Sequence, residues 1–194
     1  FGFWESAEIR FALKFAKSKT IIELGSSVGV ILGTLANKRL NTKFICLEAS
    51  PINFKKLLKL KELLPHNYNQ YNFINKAIAY GLEYVPFVHR TTKGSKVHEK
   101  KIKGSFQVPC ITLSQIIKQF KIEDEFSLIT DIEGNESSVF FEDSKALDKC
   151  VNIVAEIEDT PNATTVEQID QLKKIGFVIT AQYGRVYVFV KRKP

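Results

Sequence analysis

"TIIELGSSVGVILGTLA", Thr20 to Ala36, starts as an apolar run, breaks at Gly25 and resumes as a second apolar series, with glycines at 25, 29 and 33. The β-branched opening predicts a strand, the Gly–Ser segment a turn, and Val28 to Asn37 a helix. A strand–turn–helix unit puts its turn at the carboxyl end of a parallel strand, where α/β sheets bind ligands. The turn is therefore either a nucleotide-binding loop or a tightly packed connection. Its spacing tells against a dinucleotide. The G-x-G-x-x-G pattern needs a second glycine so that the backbone can approach a pyrophosphate. Ser27 stands at that position, and Val30, not a glycine, lies three residues on. Glu23 beside the loop would also repel a phosphate and suits a cationic ligand better. Gly33, a helical turn past Gly29, reads as a point of close helix packing on the sheet.

The same alternation continues outward. Phe3 to Lys17 predicts an opening helix. "KFICLEAS" (Lys43–Ser50) is a second strand, and Pro51 opens the helix "PINFKKLLKLKELL". "YNFINKAIA" (Tyr71–Ala79) is a third strand-like run. "YVPFVHR" and "SFQVPCITL" predict two strands flanking a lysine-rich segment, in a hairpin with a long loop. Pro86 and Pro109 put them at an edge or at irregular points. "LSQIIKQF" is a short helix, and "FSLITDIEG" and "VNIVAEIED" are strands ending in carboxylates. "TTVEQIDQLKKIG" is an amphipathic helix stopped by Gly176, and "FVITAQYGRVYVFVKR" is an antiparallel pair turning at Tyr183–Gly184. This pattern predicts an α/β fold with a mostly parallel sheet covered by helices on both faces. We expect a single domain over residues 1–194, with an N-terminal helix in 1–19 and a basic loop in 91–104.

Composition narrows the class. The 194 residues are 44% hydrophobic and 25% charged, which suits a globular domain, and no apolar run is long enough to span a bilayer. The chain begins at Phe1 and has no methionine, which suggests a domain excised from a longer protein. Net charge is +7, from 28 basic and 21 acidic residues, with lysines concentrated in Lys55–Lys61 and Lys93–Lys103. These runs fit solvated helix faces and a surface loop, or attraction to an anionic partner. No RNA-binding motif accompanies them, which argues against nucleic acid. Cys46, Cys110 and Cys150 have no zinc-type spacing and read as small core residues of a reduced, cytoplasmic protein.

Acids gather where the predicted strands end: Glu23, Glu48, Asp131 with Glu133, and Glu156 with Glu158. Carboxylates are costly to bury without partners, so this edge is the candidate site. The first loop, Glu23-Leu24-Gly25-Ser26-Ser27-Val28-Gly29, resembles the E/D-x-G-x-x-x-G motif of S-adenosylmethionine (SAM)-dependent methyltransferases. The ordered segments "FINKAIAYG", "VPCITLSQII", "SLITDIEGNESSVF", "NIVAEIED" and "LKKIGFVI" are similar to those of FkbM-type methyltransferases. The D-x-E-G-x-E half of their block "L-x-K-I-D-x-E-G-x-E" corresponds to Asp131 to Glu136, which here follows Leu128-Ile129-Thr130. The resemblance covers roughly Thr20 to Val190. It implies a Rossmann-like, seven-stranded sheet of order 3-2-1-4-5-7-6 with the last strand antiparallel. It also implies a cofactor site with Glu23, Gly25, Ser27 and Gly29 around the methionine moiety and Glu48 on the ribose. Ala49 and Ser50 would line the adenine pocket, with Asn75 and Ala77 beyond it and Asp131 near the transferring methyl. The family's usual lysine is missing from Ile129-Thr130 ahead of Asp131, and Ser114 stands where the acid of its "T-L-D" element falls; if either lost group binds substrate, the acceptor would differ from that of typical relatives.

Methyl transfer needs alignment of acceptor and methyl, and a hydroxyl acceptor gains from a base or a metal. Asp131 is the first candidate base. Glu156 and Glu158, two apart on a strand, share a face and with Asp131 could form an all-oxygen site for Mg²⁺; alternatively one of the pair points to solvent or caps a helix. His66 reads as a turn residue. His89 and His98 flank the lysine-rich loop, which could close over an acceptor. The family likeness implies O-methylation of a hydroxyl, as on a terminal deoxyhexose of a glycan, in a module fused to a glycosyltransferase or another biosynthetic activity. An RNA methyltransferase and a degenerate SAM-binding module are the alternatives.

Overall fold

The computed structural model describes residues 3–65, 69–88, 96–97 and 105–192. The elements run α1 (Phe3–Phe15), β1 (Thr20–Leu24), α2 (Val30–Ala36), β2 (Lys43–Leu47), α3 (Pro51–Lys61), β3 (Gln70–Ile74), β4 (Ala77–Ile78), β5 (Tyr84–Val88), β6 (Lys96–Val97), β7 (Phe106–Ile111), α4 (Leu113–Gln119), β8 (Phe126–Thr130) and α5 (Glu136–Glu142). A 3-10 turn (Ser144–Leu147), β9 (Cys150–Glu156), α6 (Thr165–Lys174), β10 (Phe177–Tyr183) and β11 (Val186–Lys191) complete the chain.

Seven strands form the main sheet, in the order β10-β11-β9-β8-β1-β2-β3. That is the order 3-2-1-4-5-7-6 implied by the family likeness, and β11 is the antiparallel strand against both neighbours. The parallel strands end in register, with Leu24 opposite both Leu47 and Thr130, Leu47 opposite Ile74, and Thr130 opposite Ala155. The loops that follow them therefore leave from one edge. The strand order reverses between β1 and β8, the switch point at which such sheets take ligands.

Each strand residue faces one of two cores, by the period-two alternation of a strand. Ile22, Leu24, Leu128, Ile153 and Phe189 pack with α4, α5 and α6 through Ile116, Phe140 and Leu172. Ile21, Phe44, Ile129, Val154 and Val188 pack with α1, α2 and α3 through Ala12, Ala16, Leu32 and Leu57. Helices thus cover both faces, as the sequence predicts.

Two expectations need correction. The run "YNFINKAIA" is not one strand. It breaks at Asn75–Lys76, so that β3 closes the main sheet while β4 joins a second sheet, β4-β7-β5-β6. β5 and β7 are the antiparallel pair read from the sequence, with a small core of their own at Ala77, Val85, Phe87 and Val108. Gly33 does not pack on the sheet. A Cβ there would lie 3.8 Å from Leu60 of α3, an ordinary contact. His66, His89, His98 and most of the basic loop 91–104 lie outside the described residues.

Local capping sets several boundaries. Ser50 accepts from the Asn53 amide at the start of α3, with Pro51 at the first helical position. Thr112 and Thr164 head full capping boxes with Gln115 and Glu167. Gly176, at φ 96°, ends α6 as expected.

Candidate active site at the carboxyl edge of the sheet

The loop after β1 is built on three left-handed residues, Gly25 (φ 87°), Ser27 (φ 49°) and Gly29 (φ 86°). Gly25 has a second reason to be glycine. A Cβ there would sit 1.9 Å from the Asp131 carbonyl oxygen, so the turns after β1 and β8 touch backbone to backbone. The Asp131 amide donates to the Leu24 carbonyl at 3.0 Å and extends that contact. At Gly29 a Cβ would collide with Leu57 and Leu60 of α3, so this glycine lets α2 start against α3.

Glu48, at the end of β2, ties the loop down. The Ser27 amide donates to its Oε2 (2.8 Å) and the Ser50 amide to its Oε1 (2.7 Å). Its carboxyl is buried and pushed above the usual carboxylate range by desolvation, with both amides opposing the shift. Each Glu48 oxygen retains a second lone pair for a hydroxyl donor. Asn75 secures the same turn from the end of β3, donating to the Glu48 carbonyl at 2.7 Å and the Ala49 carbonyl at 3.3 Å. Ala49 is half-buried and Ser50 fully buried at the head of α3. Ala77, expected beyond the adenine pocket, is buried in the small core, paired with Cys110 in register.

Glu23 faces the α1 side of the sheet, two residues beyond Ile21 on the same strand face. It is buried, and desolvation pushes its carboxyl up to about 8; the Cys46 thiol, 3.6 Å away, is a weak donor to it. Asp131 is pushed up to about 8 as well, by burial first and then by the charges of Glu156, Glu136, Glu133 and Glu158. Glu136 belongs to the loop itself. Its carboxyl accepts the amides of Ile132 (2.6 Å) and Gly134 (2.9 Å), and burial still raises it to about 7. Glu133 and Gly134 are both left-handed, at φ 56° and 102°. The Asp-x-Glu-Gly-x-Glu block is thus a self-clamped turn that presents Asp131.

Glu156 and Glu158 do lie on one side, but they face Arg185 in the β10–β11 turn. Its guanidinium reaches Glu156 Oε1 at 2.8 Å and Glu158 Oε2 at 2.7 Å. This arginine holds the cation's place at the proposed Mg²⁺ ligands. Among the described residues, no three histidine, cysteine, aspartate or glutamate side chains are grouped to hold a metal ion. Arg185 was not singled out in the sequence, although it directly follows Gly184 of the hairpin turn.

The two departures from the family pattern have different settings. Ser114 is tied into the scaffold: its hydroxyl donates to Asp143 Oδ1, and its amide to Asp143 Oδ2 at 2.8 Å, where Tyr80 also donates. Thr130, fully buried at the end of β8, has a hydroxyl with no hydrogen-bond partner among the described residues. One further acid was missed by sequence reading. Glu8, on α1, is buried over this edge, and Asp131 and Glu23 head the charges that act on it.

A parallel sheet with its glycine turn, acid-ended second strand and carboxylates at the switch point defines a class I, Rossmann-like methyltransferase. Residues 28–179 match the methyltransferase FkbM domain, and the chain belongs to that family: it is a SAM-dependent methyltransferase. Solved structures support the fold. The magnesium protoporphyrin IX methyltransferase of Synechocystis PCC 6803, with bound SAM, superposes at a TM-score of 0.57 with 11% identity, over 97% of this chain and 77% of that one. An rRNA methylase of Streptococcus thermophilus gives 0.57 and 11%, over 96% and 95%. A precorrin-6y C5,15-methyltransferase of Geobacter metallireducens gives 0.56 and 10%, over 97% and 87%. No curated protein sequence matches the chain.

The residues present fit this cofactor. A cradle that a Cβ would fill lies at Gly25, and the buried carboxyl of Glu23 and the half-buried carboxyl of Asp131 form an acidic wall suited to a cationic methionine end.

Proposed function

We propose that the chain transfers a methyl group to a hydroxyl oxygen, and that the hydroxyl belongs to a sugar in a glycan. The observation that carries the O-methylation reading is Asp131. Its carboxyl stands at the end of β8 beside the glycine loop, raised to about 8, where a general base for a hydroxyl works near neutral pH. Bound SAM supplies a methyl already activated on a sulfonium. The chain's own residues then have two tasks. Gly25, Ser27, Gly29, Glu23 and Glu48 hold and orient the cofactor, with Ala49, Ser50 and Asn75 shaping the turn around it. Asp131 would take the proton of the acceptor hydroxyl as that oxygen receives the methyl. The sugar acceptor rests on the likeness of FkbM-type enzymes to those acting on sugar and polyketide hydroxyls.

The test is transfer of labelled methyl from SAM to a panel of glycans, small hydroxyl compounds and RNA, with Asp131→Asn alongside. We expect a glycan product, and a kcat lowered about 10²- to 10⁴-fold in the variant, the usual size of a general-base contribution. Full activity of Asp131→Asn removes the base assignment. The +7 charge favours one competing reading, an RNA acceptor. Methylated RNA, with binding that weakens steeply in salt, would replace the glycan reading.

A further inference from the structure

Helix α1 runs antiparallel to the central strands. Its carboxyl end is fastened at their starting edge, where the Ser18 amide donates to Ser127 Oγ at 3.3 Å and Arg39 donates to the carbonyls of Leu13 and Ala16. Ala16, Ala12 and Glu8 are spaced by four and lie on one buried stripe. From Ala16 back to Glu8 the helix rises about 12 Å, which equals roughly three and a half residues of strand. That brings Glu8 level with Glu23 at the far end of β1, on the face Glu23 shares with Ile21.

Glu8 is only 8% exposed, yet among the described residues no hydrogen bond or ion pair reaches its carboxyl. The charges facing it are Asp131 after β8, Glu23 on β1, Glu156 on β9 and Glu136 on α5, all acidic. Arg185 offsets Glu156, and backbone amides hold Glu136. Among the described residues, no cation or backbone amide offsets Glu8, Glu23 or Asp131. A buried carboxyl without a partner costs stability, more so beside two others. Among the described residues nothing repays that cost, and a cationic ligand would do so.

We propose that Glu8 is a cofactor-binding residue: from the roof formed by α1 it joins Glu23 and Asp131 in a three-carboxylate pocket for the cationic methionine end of SAM. This rests on the SAM-dependent reading, and it adds an element that precedes the matched family segment, which begins at residue 28. Glu8 selects for ligand charge, whereas Glu48 holds the nucleoside.

Calorimetry on the full chain tests this with two probes: SAM, and 5′-methylthioadenosine, which keeps the nucleoside but has neither sulfonium nor ammonium. In Glu8→Gln, SAM affinity should fall about tenfold or more, the size of a lost charge-assisted contact. Affinity for 5′-methylthioadenosine should stay within about twofold of wild type, because a neutral ligand has no charge to lose there. Glu8→Asp should recover most of the SAM affinity. Unchanged SAM affinity in Glu8→Gln overturns the proposal, and so does an equal loss for both probes, which would make α1 a plain lid. A Glu8→Gln chain that fails to fold also overturns it, by showing that the scaffold needs the carboxyl. If wild type binds 5′-methylthioadenosine but SAM no more tightly, the charge pocket fails while the nucleoside site stands. If wild type binds neither probe, the SAM-dependent reading itself falls.

Discussion

Two glycines of the opening loop and helix separate backbone need from empty space. Gly25 combines φ 87° with a Cβ position 1.9 Å from the Asp131 carbonyl. Gly25→Ala must push the β1 and β8 turns apart, and we expect SAM affinity to drop at least tenfold, with a loss of about 1–3 kcal/mol from strain at this site. Gly33 is in the interior of α2 with only ordinary contacts at 3.8 and 4.0 Å. Gly33→Ala should be neutral or stabilise by up to about 1 kcal/mol, because alanine loses less backbone freedom in a helix. Urea unfolding and calorimetry on the pair check both. A Gly33→Ala as damaging as Gly25→Ala would contradict the packing described here. Glu23 and Glu48 were legible as candidate site acids from their positions. That Glu48 spends one lone pair of each oxygen on a backbone amide was not, since the Ser27 and Ser50 amides reach it only through the turns.

Among the elements, the β10–β11 hairpin does more than close the sheet. Its turn carries Arg185 to Glu156 and Glu158, at the end of and just past β9, beside Asp131. The pair is half-exposed, so Arg185→Ala should cost less than about 1 kcal/mol in stability. Its larger effect is electrostatic. Two carboxylates lose a positive neighbour, and their charge raises Asp131 further. The alkaline-rising limb of the pH–rate profile should therefore move to higher pH in the variant, and an unmoved limb would disconnect the hairpin from the chemistry. The hairpin itself was readable from alternation and Gly184. The partner of its arginine was not, because nothing local to residue 185 specifies which strand lies alongside. The same holds for "YNFINKAIA": its apolar content says strand, but the split at Asn75–Lys76 depends on β7 being available to β4.

For the molecule taken together, burial of several acids predicts an unusual stability profile. Glu23 and Asp131 are raised to about 8 and Glu136 to about 7, from ordinary values of 4.5, 3.8 and 4.5. A carboxyl whose folded value exceeds its unfolded one binds more protons in the folded state. Its contribution is complete below the unfolded value and lost as pH rises through the folded one. Without cofactor, the urea midpoint should therefore fall between about pH 5 and pH 9, the steepest loss coming before about pH 8. Glu23→Gln should flatten that slope. A midpoint that rises across this range would show that other groups dominate. SAM should recover part of the loss at pH 8, since a cation bound only by the folded state stabilises it.

Periodicity and turn residues suffice for the alternation of strands and helices, the antiparallel ending and the glycine turn at the first strand, because these follow from local backbone preference and from which faces must be buried. The family resemblance carried by the E-x-G-x-x-x-G and Asp-x-Glu-Gly-x-Glu blocks implies the cofactor class and nominates Asp131. Tertiary structure decided the company each acid keeps. Glu156 and Glu158 meet Arg185, Ser114 meets Asp143, and Glu8 of the opening helix comes within the field of Glu23 and Asp131. Charge interactions depend on distances through space and on burial, and neither is set until the strands have taken their order.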